Sequence, residues 1–155
     1  MKALIAYYSR TGTTKKVAER ISTLLGGDVE EIHDLTKRSG VIGWLRAGWD
    51  AGSKKLTTLE KVKNDPAVYD IVVIGTPIWN RTVSTPIRTY ISQYKESFKK
   101  VAFFSTEGGT GGNPFDEMEL LCGKKPKATL KLRRRRVKSD DYAEMTEEFV
   151  NKIKT

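Results

Sequence analysis

The chain has 155 residues, of which 38% are hydrophobic and 30% charged, and this composition excludes an intrinsically disordered protein. No stretch reaches the ~20 consecutive apolar residues of a membrane span, and the single cysteine, Cys122, excludes an internal disulfide. We expect one domain over residues 1–155, located in the cytoplasm and not in a membrane.

The formal net charge of +9 comes from one segment. Residues 124–138 contain nine basic side chains and no acidic one, whereas the rest of the chain carries 19 basic and 19 acidic residues. Any argument about an acidic partner therefore concerns this segment.

Apolar runs and helical patterns alternate in the first half of the chain. Residues 3–8 (ALIAYY) are typical of a strand buried on both faces, and residues 13–25 have apolar side chains at helical spacing. A weaker strand is predicted at residues 29–32 and a short helix at residues 41–51.

The same alternation continues to the end. Strands are predicted at residues 69–74, 101–105 and 128–132. Helices are predicted from Pro86 to about residue 94, over residues 115–121, and over residues 140–153. Asp116, Glu117 and Glu119 of the middle helix are expected on its solvated face. This order predicts a parallel sheet with helices on both faces.

In such a sheet, ligands bind beyond the carboxyl ends of the strands. Three loops should converge there, at residues 9–14 (SRTGTT), 76–81 (TPIWNR) and 105–112 (STEGGTGG). The first loop opens a helix, whose free N–H groups and hydroxyl-rich surroundings suit a phosphate. Ordinary N-capping by Ser and Thr explains the same residues equally well.

Trp79 favours a ligand site over simple helix capping. It follows a buried strand at the carboxyl edge of the sheet, where its ring can stack on the flat heterocycle of a phosphorylated ligand. A tryptophan that merely covers the sheet edge is the alternative. Together the loops suggest a planar, phosphorylated cofactor.

These loops resemble those of the flavodoxin family, and the resemblance extends over nearly the whole chain. SRTGTT matches the family's S/T-x-T-G-x-T loop for the phosphate of flavin mononucleotide (FMN), and GTPIW resembles the loop beside the flavin ring. The resemblance implies a flavodoxin-like three-layer αβα sandwich with a five-stranded parallel sheet in the order 2-1-3-4-5. It implies FMN as cofactor and these cofactor-binding residues: Ser9, Arg10, Thr11, Gly12, Thr13, Thr14, Thr76, Pro77, Ile78, Trp79, Asn80, Arg81, Ser105, Thr106, Glu107, Gly108, Gly109 and Gly111. We expect no metal, because the lone histidine, His33, has no second histidine or cysteine at ligand spacing.

Some residues depart from the family pattern. The third loop has no second aromatic residue, and Asn80 stands where many flavodoxins have glycine. Arg10 is a cation inside the phosphate loop, and Arg81 would favour a reduced, anionic flavin if its side chain points inward. Trp44 and Trp49 pack in the core or in a lid, or they shield the flavin.

The resemblance implies electron transfer through a bound flavin, with no catalytic residue in the chain itself. An NAD(P)H-dependent quinone or flavin reductase is the first alternative, and a non-redox binding module that uses the basic segment 124–138 is the second. Arg133, Arg134, Arg135 and Arg136 either protect a sheet edge or dock an acidic redox partner such as a ferredoxin or a reductase. We do not expect nucleic acid as the partner, because no aromatic residues interleave with the arginines. The oligomeric state stays open.

Overall fold

The computed structural model describes residues 1–36, 40–52, 55–109 and 111–155. Within these ranges, six strands and six helices follow in chain order: β1 (Ala3–Tyr7), α1 (Thr13–Leu25), β2 (Asp28–Glu31), α2 (Gly40–Gly52), β3 (Ile71–Trp79), β4 (Thr82–Val83), α3 (Thr85–Tyr94), β5 (Val101–Glu107), α4 (Phe115–Cys122), β6 (Thr129–Arg133), α5 (Arg134–Lys138) and α6 (Ala143–Lys154). Short 3₁₀ turns lie at Pro66–Val68 and Lys95–Ser97.

The strands form one sheet in the order β2-β1-β3-β5-β6, and every neighbouring pair in this order is parallel. The predicted fold and the predicted order 2-1-3-4-5 are thereby confirmed. The sheet differs from the prediction in one respect, the additional two-residue strand β4, which pairs antiparallel with the end of β3. The edge strands are β2 and β6.

Helices cover both faces of the sheet because the strands carry apolar residues on both sides. Leu4 and Ala6 of β1 point into the cluster under α2, α3 and α4, whereas Ile5 and Tyr7 point into the cluster under α1 and α6. Within the described ranges, no helix has the length and apolar character needed to span a membrane.

Strand β3 runs five residues beyond the predicted end at residue 74 and then turns back into β4. Trp79 pairs with Thr82, so Asn80 and Arg81 form a two-residue hairpin turn with φ angles of 46° and 66°. Positive φ at both turn positions matches the right-handed twist of the two strands. The apolar run at residues 69–74 gave no sign of this continuation.

The last helix begins at Ala143, later than predicted, and the short helix α5 precedes it. Asp140 has a φ angle of 57°, a left-handed conformation that no helix interior contains. Acidic residues at positions 140 and 141 therefore stand before the helix instead of inside its first turn.

The prediction for Glu117 was wrong. Its Oε1 atom accepts hydrogen bonds from Nε and Nη2 of buried Arg88 at 3.0 and 2.7 Å, and its Oε2 atom accepts one from the Thr82 hydroxyl. The same guanidinium donates to the Ala51 carbonyl oxygen at 3.3 Å. One ion pair thus joins α3, α4, the β3–β4 hairpin and α2, which together support one side of the carboxyl edge of the sheet.

Candidate functional site

A cleft opens at the carboxyl ends of β1, β3 and β5, where the sequence places the three loops. Among the described residues, its walls come from five segments and consist of Ser9, Arg10, Thr11, Thr13, Thr14, Trp44, Pro77, Ile78, Trp79, Thr106, Glu107, Gly108 and Arg134. Each of the three predicted loops contributes to it.

The first loop leaves its hydroxyl groups largely available. Gly12, with a φ angle of 96°, is the N-cap residue of α1, so no side chain caps the helix. Its N–H donates to the Ser9 hydroxyl at 3.1 Å. Among the described residues, the hydroxyls of Thr11 and Thr13 have no hydrogen-bond partner. The capping alternative therefore accounts for few of these side chains, and the first turn of α1 contains no acidic residue.

The hydroxyls of Thr14 and Thr106 form a buried hydrogen bond at 2.8 Å. Thr14 lies in the first turn of α1 and Thr106 near the end of β5, so this bond joins the first loop to the third across the end of the sheet. The relative position of the two loops is consequently fixed by a specific contact.

The cations around the first loop divide into two groups. Lys15 pairs with Glu31 at 3.6 Å and Lys16 with Asp140 at 2.5 Å, and this hydrogen bond raises the pKa of Lys16. Both lysines are therefore directed away from the cleft. Arg10 and Arg134 line the cleft instead, and neither has a carboxylate within 4.0 Å in the described part of the chain.

Trp79 belongs both to the core and to the cleft. It is 8% exposed, and its ring packs edge-on against Tyr8 with centroids 5.3 Å apart and an interplanar angle of 86°. Pro77 and Ile78 line the same wall. Thr76 does not, because its buried hydroxyl donates to Ser84 Oγ at 2.9 Å. Asn80 and Arg81 are exposed at the hairpin turn outside the cleft, so Arg81 does not meet the condition of pointing inward.

The third loop contributes a buried carboxylate. Glu107 is 7% exposed, and its Oε2 atom accepts no hydrogen bond from the described residues, although Lys131 Nζ lies 3.6 Å away. Thr106 and Gly108 also line the cleft, whereas Ser105 is buried beneath it. Residue 110 lies outside the described residues.

Eleven of the predicted residues meet in the cleft, and the remaining seven lie next to it or beneath it. The seven are Gly12, Thr76, Asn80, Arg81, Ser105, Gly109 and Gly111. Gly112 nevertheless packs on the hairpin, since a Cβ atom there would lie 2.5 Å from the Arg81 carbonyl oxygen. Whether each residue binds a ligand stays a prediction.

Two lining residues were not among the predicted site residues. Trp44 is 60% exposed and lines the cleft, so it does not pack in the core, whereas Trp49 is 70% exposed and lies outside the cleft. Arg134 follows the last residue of β6, and its place just beyond the carboxyl edge of the sheet was a usable signal. The described residues contain no cluster of three or more His, Cys, Asp or Glu side chains that could hold a metal ion.

A parallel sheet in this order, with helices on both faces and a hydroxyl-rich loop after β1, defines the flavodoxin-like class of α/β proteins. The chain belongs to the flavodoxin family, whose model matches residues 2–149. No curated protein matches the chain in sequence.

Solved structures agree with this assignment. A flavoprotein of Lactobacillus acidophilus NCFM, determined in complex with FMN, is 27% identical over 89% of this chain and 97% of its own, with a TM-score of 0.70. A provisionally assigned flavoprotein of Bacteroides uniformis ATCC 8492 is 26% identical over 97% of both chains, with a TM-score of 0.79. The two-electron reduced flavodoxin of Megasphaera elsdenii, 18% identical over 96% of this chain and 98% of its own, shares the fold with a TM-score of 0.61.

Proposed function

We propose that this chain is a cytoplasmic FMN-binding protein that transfers electrons through the bound flavin. One observation carries the proposal, namely that the hydroxyl-rich loop after β1, the wall at Trp79 and the end of β5 line a single cleft. The FMN complex of the Lactobacillus relative supports the choice of cofactor.

The first loop fits a phosphate group. The hydroxyls of Thr11 and Thr13 and the first-turn N–H groups of α1 would donate to phosphate oxygens. Arg10 and Arg134 add two positive charges in the same cleft, which suit a dianion better than a neutral ligand. Because the first turn of α1 contains no acidic residue, no carboxylate there repels the phosphate.

The rest of the cleft fits a flat ring with polar edges. Trp79 and Trp44 offer aromatic surface, and Gly108 leaves room for close approach, since a Cβ atom there would meet nothing within 4 Å. The carboxylate of Glu107, whose buried Oε2 atom accepts no hydrogen bond from the described residues, would accept one from a ring N–H if the side chain turned toward the cleft. The donor and acceptor set of the cleft therefore matches both ends of FMN.

Bound FMN would supply the redox chemistry by exchanging one or two electrons with a partner. The contribution of the chain is to bind the phosphate, orient the ring and shield one side of it with buried residues such as Trp79. Glu107 and its neighbour Lys131 set the charge beside the ring edge.

Titration of the purified apoprotein with FMN tests the proposal. We expect saturable quenching of FMN fluorescence and a visible flavin spectrum at one equivalent per chain. A protein that stays colourless and takes up no FMN contradicts the proposal and favours the non-redox binding module.

Anaerobic addition of NADH or NADPH to the FMN-loaded protein then separates the two redox functions. An electron carrier keeps its yellow colour until a separate reductase is added. Direct bleaching by the nicotinamide, with turnover when a quinone is supplied, would instead assign a reductase.

A further inference from the structure

The basic segment lies beside the cleft and has two ends that differ in position. In the register of the parallel strands β5 and β6, Arg133 at the end of β6 lies opposite Glu107 of the cleft wall. Arg134 lines the cleft itself. At the other end, the Lys127 N–H donates to the Val101 carbonyl oxygen at the start of β5. Because a strand rises ~3.3 Å per residue, the five residues of β6 separate the two ends by roughly 13 Å.

The cleft end carries an exposed cluster of cations, which we call the cleft-end patch: Lys131, Arg133, Arg134 and Arg135. Lys131 has a carboxylate neighbour, Glu107, at 3.6 Å. The three arginines have none within 4.0 Å among the residues that the structure describes. The positive charge of the patch is therefore mostly uncompensated within the chain.

Protection of the sheet edge explains only part of this charge. Cations on β6 hinder its pairing with another sheet, which gives Lys131 and Arg133 a structural role. The charges of α5 lie on a helix, where no strand edge needs protection. Arg134 and Lys138 lie four residues apart on that helix, so their like charges repel each other. An anion outside the chain would relieve this repulsion.

The opposite rim of the cleft is aromatic and exposed. Trp44 lines the cleft and is 60% exposed, and Leu45 and Trp49 on the same helix are 58% and 70% exposed. Tryptophan and arginine are the residues most enriched among the energetic centres of protein interfaces. Exposed tryptophan on one side and unpaired arginine on the other thus give the cleft mouth the composition of a docking surface.

We propose that the cleft-end patch, with Trp44 across the cleft, docks an acidic electron-transfer protein. The proposal rests on the proposed function, since a partner at this position would hold its redox centre over the bound flavin. A protein is favoured over nucleic acid because the positive charge of the patch lies beside the proposed flavin cleft and because Trp44 lines the same cleft. Complementary charge would steer the encounter and weaken with salt.

The test compares two double variants that lower the net charge equally. Arg133→Gln/Arg135→Gln removes two of the four positive charges of the cleft-end patch, and Lys125→Gln/Lys127→Gln removes two positive charges from the far end of the same segment. All four side chains are exposed and none lines the cleft, so both variants should fold and bind FMN as the parent does. Affinity of each FMN-loaded protein for an acidic plant-type [2Fe–2S] ferredoxin is measured by calorimetry.

We expect the cleft-end variant to lose about five- to tenfold in affinity and the far-end variant less than about twofold. Affinity of the parent should fall steeply as ionic strength rises from about 0.01 to about 0.2 M. Equal losses in both variants, equally tight binding of the basic protein cytochrome c, or tighter binding of a short DNA duplex would each overturn the proposal.

Failure of this proposal can be told from failure of the proposed function. FMN content is measured on the same samples by flavin absorbance, without any partner. A protein that takes up FMN but ignores the ferredoxin contradicts only the docking proposal, whereas a protein without FMN contradicts the function itself.

Discussion

The hydroxyl oxygens of Thr14 and Thr106 lie 2.8 Å apart and form a buried hydrogen bond between residues 92 positions apart in the chain. This contact ties the start of α1 to the end of β5. Thr14→Val keeps the shape of the side chain but leaves the Thr106 hydroxyl unpaired. We expect the free energy of unfolding to fall by about 1–3 kcal/mol, measured by urea denaturation.

The double variant Thr14→Val/Thr106→Val is the control for this prediction. Because it removes both polar groups, it should cost less than the sum of the two single variants. Strictly additive costs would show that the two hydroxyls do not interact.

Breaking the ion pair of Arg88 and Glu117 should be more costly. The two side chains are 4% and 20% exposed, so Arg88→Met leaves a carboxylate without its cation in a largely buried position. We expect a loss of about 3–5 kcal/mol in unfolding free energy. Arg136→Gln removes the exposed pair with Asp141 and should cost less than about 1 kcal/mol. Similar losses in the two variants would contradict this account.

Trp44 and Trp49 form a matched pair for testing the cleft. Both rings are largely exposed on α2, but only Trp44 lines the cleft. Trp44→Ala should weaken FMN binding about three- to tenfold, whereas Trp49→Ala should leave it unchanged. Fluorescence titration measures both. An equal effect of the two variants would indicate that α2, and not the Trp44 ring, affects the cofactor.

Arg134 should distinguish FMN from riboflavin, which lacks the phosphate. We expect Arg134→Gln to weaken FMN binding about three- to tenfold and to leave riboflavin binding unchanged, because the charge acts on the phosphate. Lys138→Gln on the same helix changes the net charge equally but lies outside the cleft, and should affect neither ligand. Arg10→Ala is predicted to behave like Arg134→Gln.

Cys122 should give the stability a defined dependence on pH. Burial raises the pKa of its thiol from 9.0 to about 12. Above pH 9 the unfolded chain loses this proton while the native protein keeps it, so the free energy of unfolding falls as the pH rises. The slope reaches at most about 1.4 kcal/mol per pH unit, and well below pH 9 the group has no effect.

Urea denaturation of the parent and of Cys122→Ala between pH 7 and pH 10 measures this effect. The parent should lose stability more steeply above pH 9 than the variant does. Parallel pH profiles would exclude Cys122 as the cause. The window below pH 10 is informative because the ordinary pKa of tyrosine, 10.0, lies at its upper limit.

The sequence alone determined the layered fold and the meeting of the three loops, whereas the order of the sheet was implied by the resemblance to the flavodoxin family. Apolar runs such as residues 101–105 and helical spacing over residues 13–25 are local signals, and they arise from burial on one or both faces of an element. The convergence of the loops follows from the parallel sheet itself, whose strands all end at the same edge.

Only the tertiary structure decided which side chains meet at that edge. The Glu117 carboxylate is held by Arg88, and the Thr14 hydroxyl is hydrogen-bonded to Thr106. No local sequence pattern predicts partners that lie so far apart in the chain. Arg134 and Trp44 entered the cleft through the packing of α5 and α2 beside it. Periodicity reports that a residue is buried or exposed, whereas the identity of its neighbours is fixed by how the layers pack.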